Sequence, residues 1–293
     1  MNFYITLLKG LICATVFCFA TLAYADEPTA NNAVDHRVEQ EKAILDNPFS
    51  IGFYKPNYIL PYYYTGSPDE SVYENNTPDE QSINHQEFKY QLSFKVPIWQ
   101  FNSISTLYGA YTQLSYWQVY NESPFFRETD YEPELFLANH IDKHLSDQWN
   151  LSFLNVGAVH QSNGYGGTME RSWNRLYAEG IFAKENWIIS LKPWYILPDN
   201  AIKDHNPNIV NYMGHGRVLV GYKFDSNQML NVEARNLVES GFSKGAVQAD
   251  WSFPITKHLN GYVQIFSGYG QSLIEYNHFT NSAGIGIALS NWI

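Results

Sequence analysis

The sequence predicts an all-β fold, a transmembrane antiparallel β-barrel of about twelve strands. Three observations lead there. Aromatic residues make up 16% of the chain while mean hydropathy is only −0.32. Beyond residue 25 no apolar run reaches the ~20 residues that a membrane-spanning helix needs. Long segments instead alternate apolar and polar residues, the period of strands with one apolar face.

The first 25 residues read as a signal peptide, and with it as an export signal. Lys9 precedes an apolar stretch from Gly10 to Leu22, and Ala23-Tyr24-Ala25 places small residues where a signal peptidase reads them. Cys18 follows Thr15-Val16-Phe17 and lacks the small residues of a lipoprotein site. Both cysteines, Cys13 and Cys18, fall within this leader, so the chain from Asp26 onward has no disulfide and no thiolate metal site. The formal charge of −11 drops by one more unit when Lys9 leaves. An acidic chain of this kind is a poor fit to nucleic acid, whose phosphates need a basic face.

Residues 26–50 form a polar N-terminal segment with one short helix expected around Val38 to Leu45, and residues 51–293 form the barrel. Strands are expected at 57–64, 88–98, 104–119, 131–141, 150–162, 172–183, 186–196, 214–224, 228–238, 244–255, 259–270 and 281–293. Phe88, Tyr90, Leu92, Phe94, Val96 and Ile98 alternate with Lys89, Gln91, Ser93 and Lys95 in one of them. At ~3.3 Å per residue and ~45° tilt, ten residues rise about 23 Å, close to the ~25 Å apolar band of an outer-membrane barrel. An even strand count leaves both chain ends on one rim. The terminal Ile285, Ile287, Leu289, Asn291, Ile293 run has the alternation and apolar last residue of a barrel-insertion signal.

Parity then singles out three residues. In strand 150–162 the apolar face carries Leu154, Val156 and Ala158, and His160 and Ser162 share it. In strand 172–183 the same face holds Asn174, Leu176 and Ala178, while Arg175, Tyr177 and Glu179 face the other way. A hairpin joined by 163–171 brings His160, Ser162 and Asn174 together on a lipid-facing wall, where unpaired polar groups cost a few kcal/mol. Ser, His and an orienting third group are what nucleophilic ester hydrolysis uses. Polar residues at a barrel rim are also ordinary, so the pattern by itself leaves both readings open.

The surrounding motifs resemble outer membrane phospholipase A. They are His160-Gln161-Ser162-Asn163-Gly164, Arg171-Ser172-Trp173-Asn174-Arg175-Leu176-Tyr177 and Ser123-Pro124-Phe125-Phe126-Arg127-Glu128-Thr129-Asp130-Tyr131-Glu132-Pro133, with Lys192-Pro193-Trp194-Tyr195, Tyr212-Met213-Gly214 and Ser252-Phe253-Pro254-Ile255-Thr256-Lys257-His258 downstream. The resemblance runs from Asp46-Asn47-Pro48-Phe49 to the C-terminus. It implies a twelve-stranded barrel of the bacterial outer membrane with calcium-dependent phospholipase A1 and A2 activity on membrane phospholipids, switched on by homodimerisation. It also implies that Ser162 is the nucleophile, His160 the base and Asn174 its orienting partner. Gln113 stands where the family has a polar residue in its dimer face, and is equally an ordinary rim glutamine. For Ca2+ the resemblance points to Ser123 from the partner subunit, to Tyr165 in place of the usual Arg, to Glu170 in place of a Ser, and to Asp204 or the adjacent His205. Gly167 stands where an acidic residue is expected.

The rival expectation is a passive barrel, a narrow pore or structural protein without hydrolase activity. Arg175, Glu179, Glu233 and Arg235 would then line a channel. In a barrel of this size they are better read as an internal hydrogen-bonded network that fills the lumen.

Overall fold

The computed structural model describes residues 34–45, 51–146, 148–198 and 205–291; the leader and Asp204 lie outside these. Twelve strands close into an antiparallel barrel: β1 (Asn57–Thr65), β2 (Gln86–Gln100), β3 (Ser105–Trp117), β4 (Phe126–His144), β5 (Asn150–Ser162), β6 (Ser172–Lys184), β7 (Trp187–Leu197), β8 (Gly216–Lys223), β9 (Met229–Arg235), β10 (Ala246–Thr256), β11 (Leu259–Tyr269) and β12 (Phe279–Ser290). Each pairs with its sequence neighbour, and β12 returns to β1, so the twelve strands close on themselves. Closure of this kind is what hydrocarbon demands, because an edge there would expose unpaired amides. Residues Gly52–Phe53 add a short extension alongside β2, at Lys95 and Phe94. No described helix is long and apolar enough to cross a membrane.

Alternation sets which side chains face out. Along β5, Leu154, Val156, Ala158 and His160 are exposed while Phe153, Asn155, Val159 and Gln161 are buried. Along β2, Glu87, Lys89, Ser93 and Lys95 are buried, and Leu92, Val96 and Ile98 are exposed. The apolar face therefore looks outward and the charged face inward, the reverse of a soluble barrel. Short turns at 101–104, 185–186, 224–228 and 257–258 mark one rim, and longer loops mark the other.

The lumen is filled with paired charge. Near the long-loop rim Arg127, fully buried, grips Glu87 through Nε at 2.6 Å and Nη2 at 2.8 Å, and Glu275 through Nη1 at 2.9 Å. Deeper, Arg217 meets Glu179 at 3.2 Å and Glu233 at 2.5 Å. Glu134 accepts from Tyr54 Oη at 2.8 Å and from Lys192 at 3.3 Å. Arg235 donates to the Tyr269 and Gly270 carbonyls. The residues expected to form an internal network do so, and what remains is a cavity of about 190 Å³.

Both mouths are covered. Helix α1 (Asp35–Leu45) begins three residues before its expected start. Its Val34 end packs with Phe153, Ile181, Ala183, Ile188 and Met229, and Glu41 pairs with Lys95 and with Tyr108 Oη at 2.6 Å. At the other end, segment 270–278 folds inward and buries Leu273, Ile274 and Tyr276. Its amides at Leu273 and Ile274 donate to Asp130 and Glu128.

Candidate active site

Strands β5 and β6 pair in a register that sets His160 opposite Asn174 and Ser162 opposite Ser172. His160 and Ser162 are alternate residues of one strand, so both point out of the barrel, roughly 6.6 Å apart along it. Asn174 projects from the neighbouring strand to the same side. Its Oδ1 lies 2.8 Å from His160 Nδ1. With the amide oxygen turned to the ring, Nδ1 is the nitrogen that donates to Asn174. The expected outward pairing is found for His160, which is exposed, and Asn174, which bonds it.

An apolar groove runs across the outer wall from this pair. Leu197, Ala158, Leu135, Tyr111, Val96 and Ile51 lie along it, and His160 and Asn174 sit at one end. The polar pair is thus set into a surface made for hydrocarbon.

Behind the wall, the inward faces of the same strands are tied together. Gln161 Oε1 accepts from Trp173 Nε1 at 2.7 Å and from Arg175 Nη2 at 3.0 Å. The Arg175 guanidinium stacks over the Trp173 ring at 3.9 Å and meets Glu132 at 3.8 Å. None of these was singled out as a site residue from the sequence, although Gln161, Trp173 and Arg175 are interleaved with the outward three.

Loop 163–171 joins the strands. Gly164 sits at φ +70, and a Cβ there would come within 2.9 Å of Tyr131, so the turn after Ser162 requires glycine. Met169 is buried with Tyr73, Ile83 and Ile274, which seats the loop on its neighbours. Tyr165 donates its hydroxyl to the Phe126 and Arg127 carbonyls, both at 3.2 Å. Burial, with Glu128 nearby, pushes that phenol up to about 12, so it remains a donor across the working pH range. Glu170 faces His205, with Oε2 3.6 Å from Nε2.

The other residues expected from the sequence are spread along this rim. Ser123, in the β3–β4 loop, donates to Asp79 Oδ2 at 2.6 Å and accepts at its carbonyl from Gln81. Gln113 points outward from β3, donating to Tyr90 Oη and Ser115 Oγ and accepting from Tyr111 Oη, each at 3.1 Å. Asp204 falls outside the described residues. Among the described residues no group of three His, Cys, Asp or Glu side chains converges on a metal position. The chain therefore brings Tyr165 and Glu170 into one loop and leaves Ser123 in another.

Comparison with known proteins agrees with this architecture. A sequence model of the phospholipase A1 family matches residues 34–289. Phospholipase A1 of Proteus vulgaris is 37% identical over 91% of this chain and 89% of its own length. The structure of a Salmonella typhi outer membrane phospholipase dimer with bound calcium superposes with a TM-score of 0.78 at 35% identity, covering 84% of this chain and 94% of that one. An active-site mutant of Escherichia coli outer membrane phospholipase A, an asparagine-to-alanine change, gives a TM-score of 0.76 at 35% identity over 85% and 95% of the two chains. With the matched region spanning nearly all of the barrel, this chain belongs to the phospholipase A1 family of carboxylic ester hydrolases.

Proposed function

We propose that this chain is a phospholipase of the bacterial outer membrane that hydrolyses the sn-1 and sn-2 acyl esters of phospholipids through Ser162, His160 and Asn174, with calcium and a second copy of the chain completing the site. Residues 1–25 serve as its export signal. The observation that carries the reading is the His160–Asn174 hydrogen bond of 2.8 Å on the lipid-facing wall, with Ser162 one strand repeat away. An asparagine is also the residue altered in the related active-site mutant.

In this scheme Ser162 Oγ attacks the ester carbonyl carbon and His160 Nε2 takes its proton. Asn174 holds the ring so that Nδ1 stays protonated and Nε2 faces the serine. Collapse of the tetrahedral intermediate breaks the ester C–O bond, and His160 returns the proton to the departing lysolipid alkoxide. Water, deprotonated by the same imidazole, then attacks the acyl carbon, the bond to Ser162 Oγ breaks to release the fatty acid, and His160 returns the proton to Oγ. A neutral asparagine orients the ring without placing a carboxylate beside hydrocarbon, where an uncompensated charge is costly. The groove beyond His160 accepts the acyl chain.

Apart from His205, the alternative to Asp204, the donors expected for calcium are oxygen, which suits a hard cation. Within the chain the fit is partial. Tyr165 offers a carbonyl and Glu170 a carboxylate from one loop, and open space surrounds the Cβ positions of Gly166 and Gly167 beside them. His205 lies 3.6 Å from Glu170, and Ser123 of the partner subunit supplies the donor that a second copy brings. When bound, calcium supplies Lewis-acid stabilisation of the developing oxyanion. Gln113 and its ring of hydroxyls lie on the outward face through which the copies meet.

The nucleophile is tested by treating the refolded protein with a lipid-like sulfonyl fluoride and mapping the adduct. Modification of Ser162 that stops turnover is the expected result. Stoichiometric modification elsewhere, with Ser162 untouched and activity lost, would remove it from the role.

A further inference from the structure

The residue directly after the proposed nucleophile is more thoroughly bonded than either neighbour. Asn163 is 4% exposed, and its side chain makes hydrogen bonds in four directions. Oδ1 accepts from the Arg171 amide at 2.9 Å and from the Tyr165 amide at 3.4 Å. Nδ2 donates to the Met169 carbonyl at 2.8 Å and to Glu128 Oε2 at 3.4 Å. Its own amide donates to the Arg171 carbonyl at 3.0 Å. One carboxamide thus spans the first, middle and last residues of loop 163–171. Through Glu128, whose other oxygen accepts the Ile274 amide at 2.9 Å, it fastens that loop to the inward-folded segment 270–278.

We propose that Asn163 is the positioning residue of the site, fixing the backbone that presents Ser162 together with the oxygen donors of Tyr165 and Glu170. The inference rests on the function proposed above. Only a carboxamide has the required pattern, because two bonds need an acceptor and two need a donor, in one plane. Serine or alanine would leave buried amides or carbonyls without partners. Aspartate would keep both acceptor bonds, lose both donor bonds, and set a carboxylate beside buried Glu128. The Asn163 carboxamide is buried and spent on bonds within the protein. Its effect is exerted through the loop, and a displacement of ~1 Å at a reacting group is enough to reduce turnover about 100-fold.

The test measures acyl release and calcium dependence for wild type and for Asn163→Ala, Asn163→Asp and the Asn163→Asp/Glu128→Gln pair. Calcium dependence is read by dimer formation as well as by turnover, using fluorophores placed on the short-turn rim. Barrel formation is followed by heat-modifiable gel migration. For Asn163→Ala the expected result is an intact barrel, KM within threefold of wild type, kcat lower by roughly 100-fold, and a rise of about tenfold in the calcium needed for half-maximal dimerisation. Asn163→Asp should be at least as impaired. The paired variant restores a donor between positions 128 and 163 and should recover part of both losses. A purely structural role would lower stability and leave kcat and calcium requirement in place; that result in a folded Asn163→Ala barrel would overturn the proposal. If that variant does not fold, Asn163→Gln, which displaces the same carboxamide by one methylene, is measured, and wild-type kcat there would overturn it equally. Absence of Ser162-dependent release from the wild type would strike the underlying function instead.

Discussion

Replacing Arg127 with methionine removes the central cation of the long-loop mouth. The guanidinium makes a two-pronged contact to Glu87, a third bond to Glu275 at 2.9 Å and a fourth to Tyr73 Oη at 2.9 Å, and it lies 4.5 Å over the Tyr116 ring. Methionine fills much of the volume but leaves two buried carboxylates facing one another. Breaking a buried ion pair from one side costs about 3–5 kcal/mol. The lower part of that range applies, because each carboxylate keeps other donors. Glu87 retains Gln118 at 3.0 Å and Thr65 at 3.3 Å, and Glu275 retains Ser272 at 2.9 Å and the Asp69 amide at 3.0 Å. A loss of about 3–4 kcal/mol lowers the folded-to-unfolded ratio by a factor of roughly 150 to 700. Reversible denaturant unfolding in lipid or detergent, with folded and unfolded forms separated by gel migration, reads it directly. Arg127→Lys should lose less because it keeps the cation, but not nothing, since a point charge cannot serve the bidentate contact. Adding Glu87→Gln and Glu275→Gln to Arg127→Met should recover more than half of the loss. Stability within 1 kcal/mol of wild type for Arg127→Met, or no recovery in the triple variant, would refute the reasoning.

Other outcomes follow from the same geometry. Asn174→Ala deletes one neutral hydrogen bond to the imidazole, worth about 1–1.5 kcal/mol in a mixed environment and more beside hydrocarbon, so kcat for acyl release should fall by about 10- to 100-fold with KM little changed. Gln113→Leu removes the polar centre of the outward face. Hydrogen bonds between membrane-embedded elements contribute about 0.6–2 kcal/mol, so dimerisation measured by sedimentation equilibrium should weaken by roughly 3- to 30-fold, and unchanged dimerisation would place the interface elsewhere. Burial tends to raise the Glu41 carboxyl, yet Lys95 and Arg37 outweigh it and hold the group below its ordinary value. A depressed folded value makes its contribution fully present above the ordinary carboxylate range and lost as pH falls through the lowered one. Docking of α1, read by protease cleavage within residues 34–45, should therefore be firm at pH 7 and loosen only under strong acid. Glu41→Gln should loosen it at both pH values.

Much of the barrel was legible in the chain because outward and inward residues differ so plainly. β5 was expected at 150–162 and is found there, and the inward set of Asn155 and Gln161 against outward Leu154 and Val156 explains why. β4 was expected to start at 131 but starts at Phe126. Arg127, Glu128 and Asp130 hid the five extra residues, since their burial depends on partners brought by distant segments. The last strand ends at Ser290, short of the expected chain end, with 292–293 outside the described residues. Segment 270–278 lies between two expected strands, and its inward fold depends on Asp130 and Glu128 of β4, which a local pattern does not reveal. Parity put His160, Ser162 and Asn174 on one face of neighbouring strands, because a period of two needs no knowledge of partners, and the register sets His160 beside Asn174. Asn163 carries no chemical signature of its own within its motif. An Asn before Gly reads as turn chemistry, and only the folded loop shows the four bonds that hold it.

The most direct measurement is acyl release from mixed phospholipid micelles by refolded protein, wild type beside Ser162→Ala, each in calcium and in chelator. Calcium-dependent release of both acyl chains by the wild type, abolished by the substitution, is the expected result. Release that survives chelation would keep the hydrolase and remove the calcium assignment. A folded, dimer-competent barrel in which Ser162→Ala releases acyl chains as fast as the wild type would contradict the proposed chemistry.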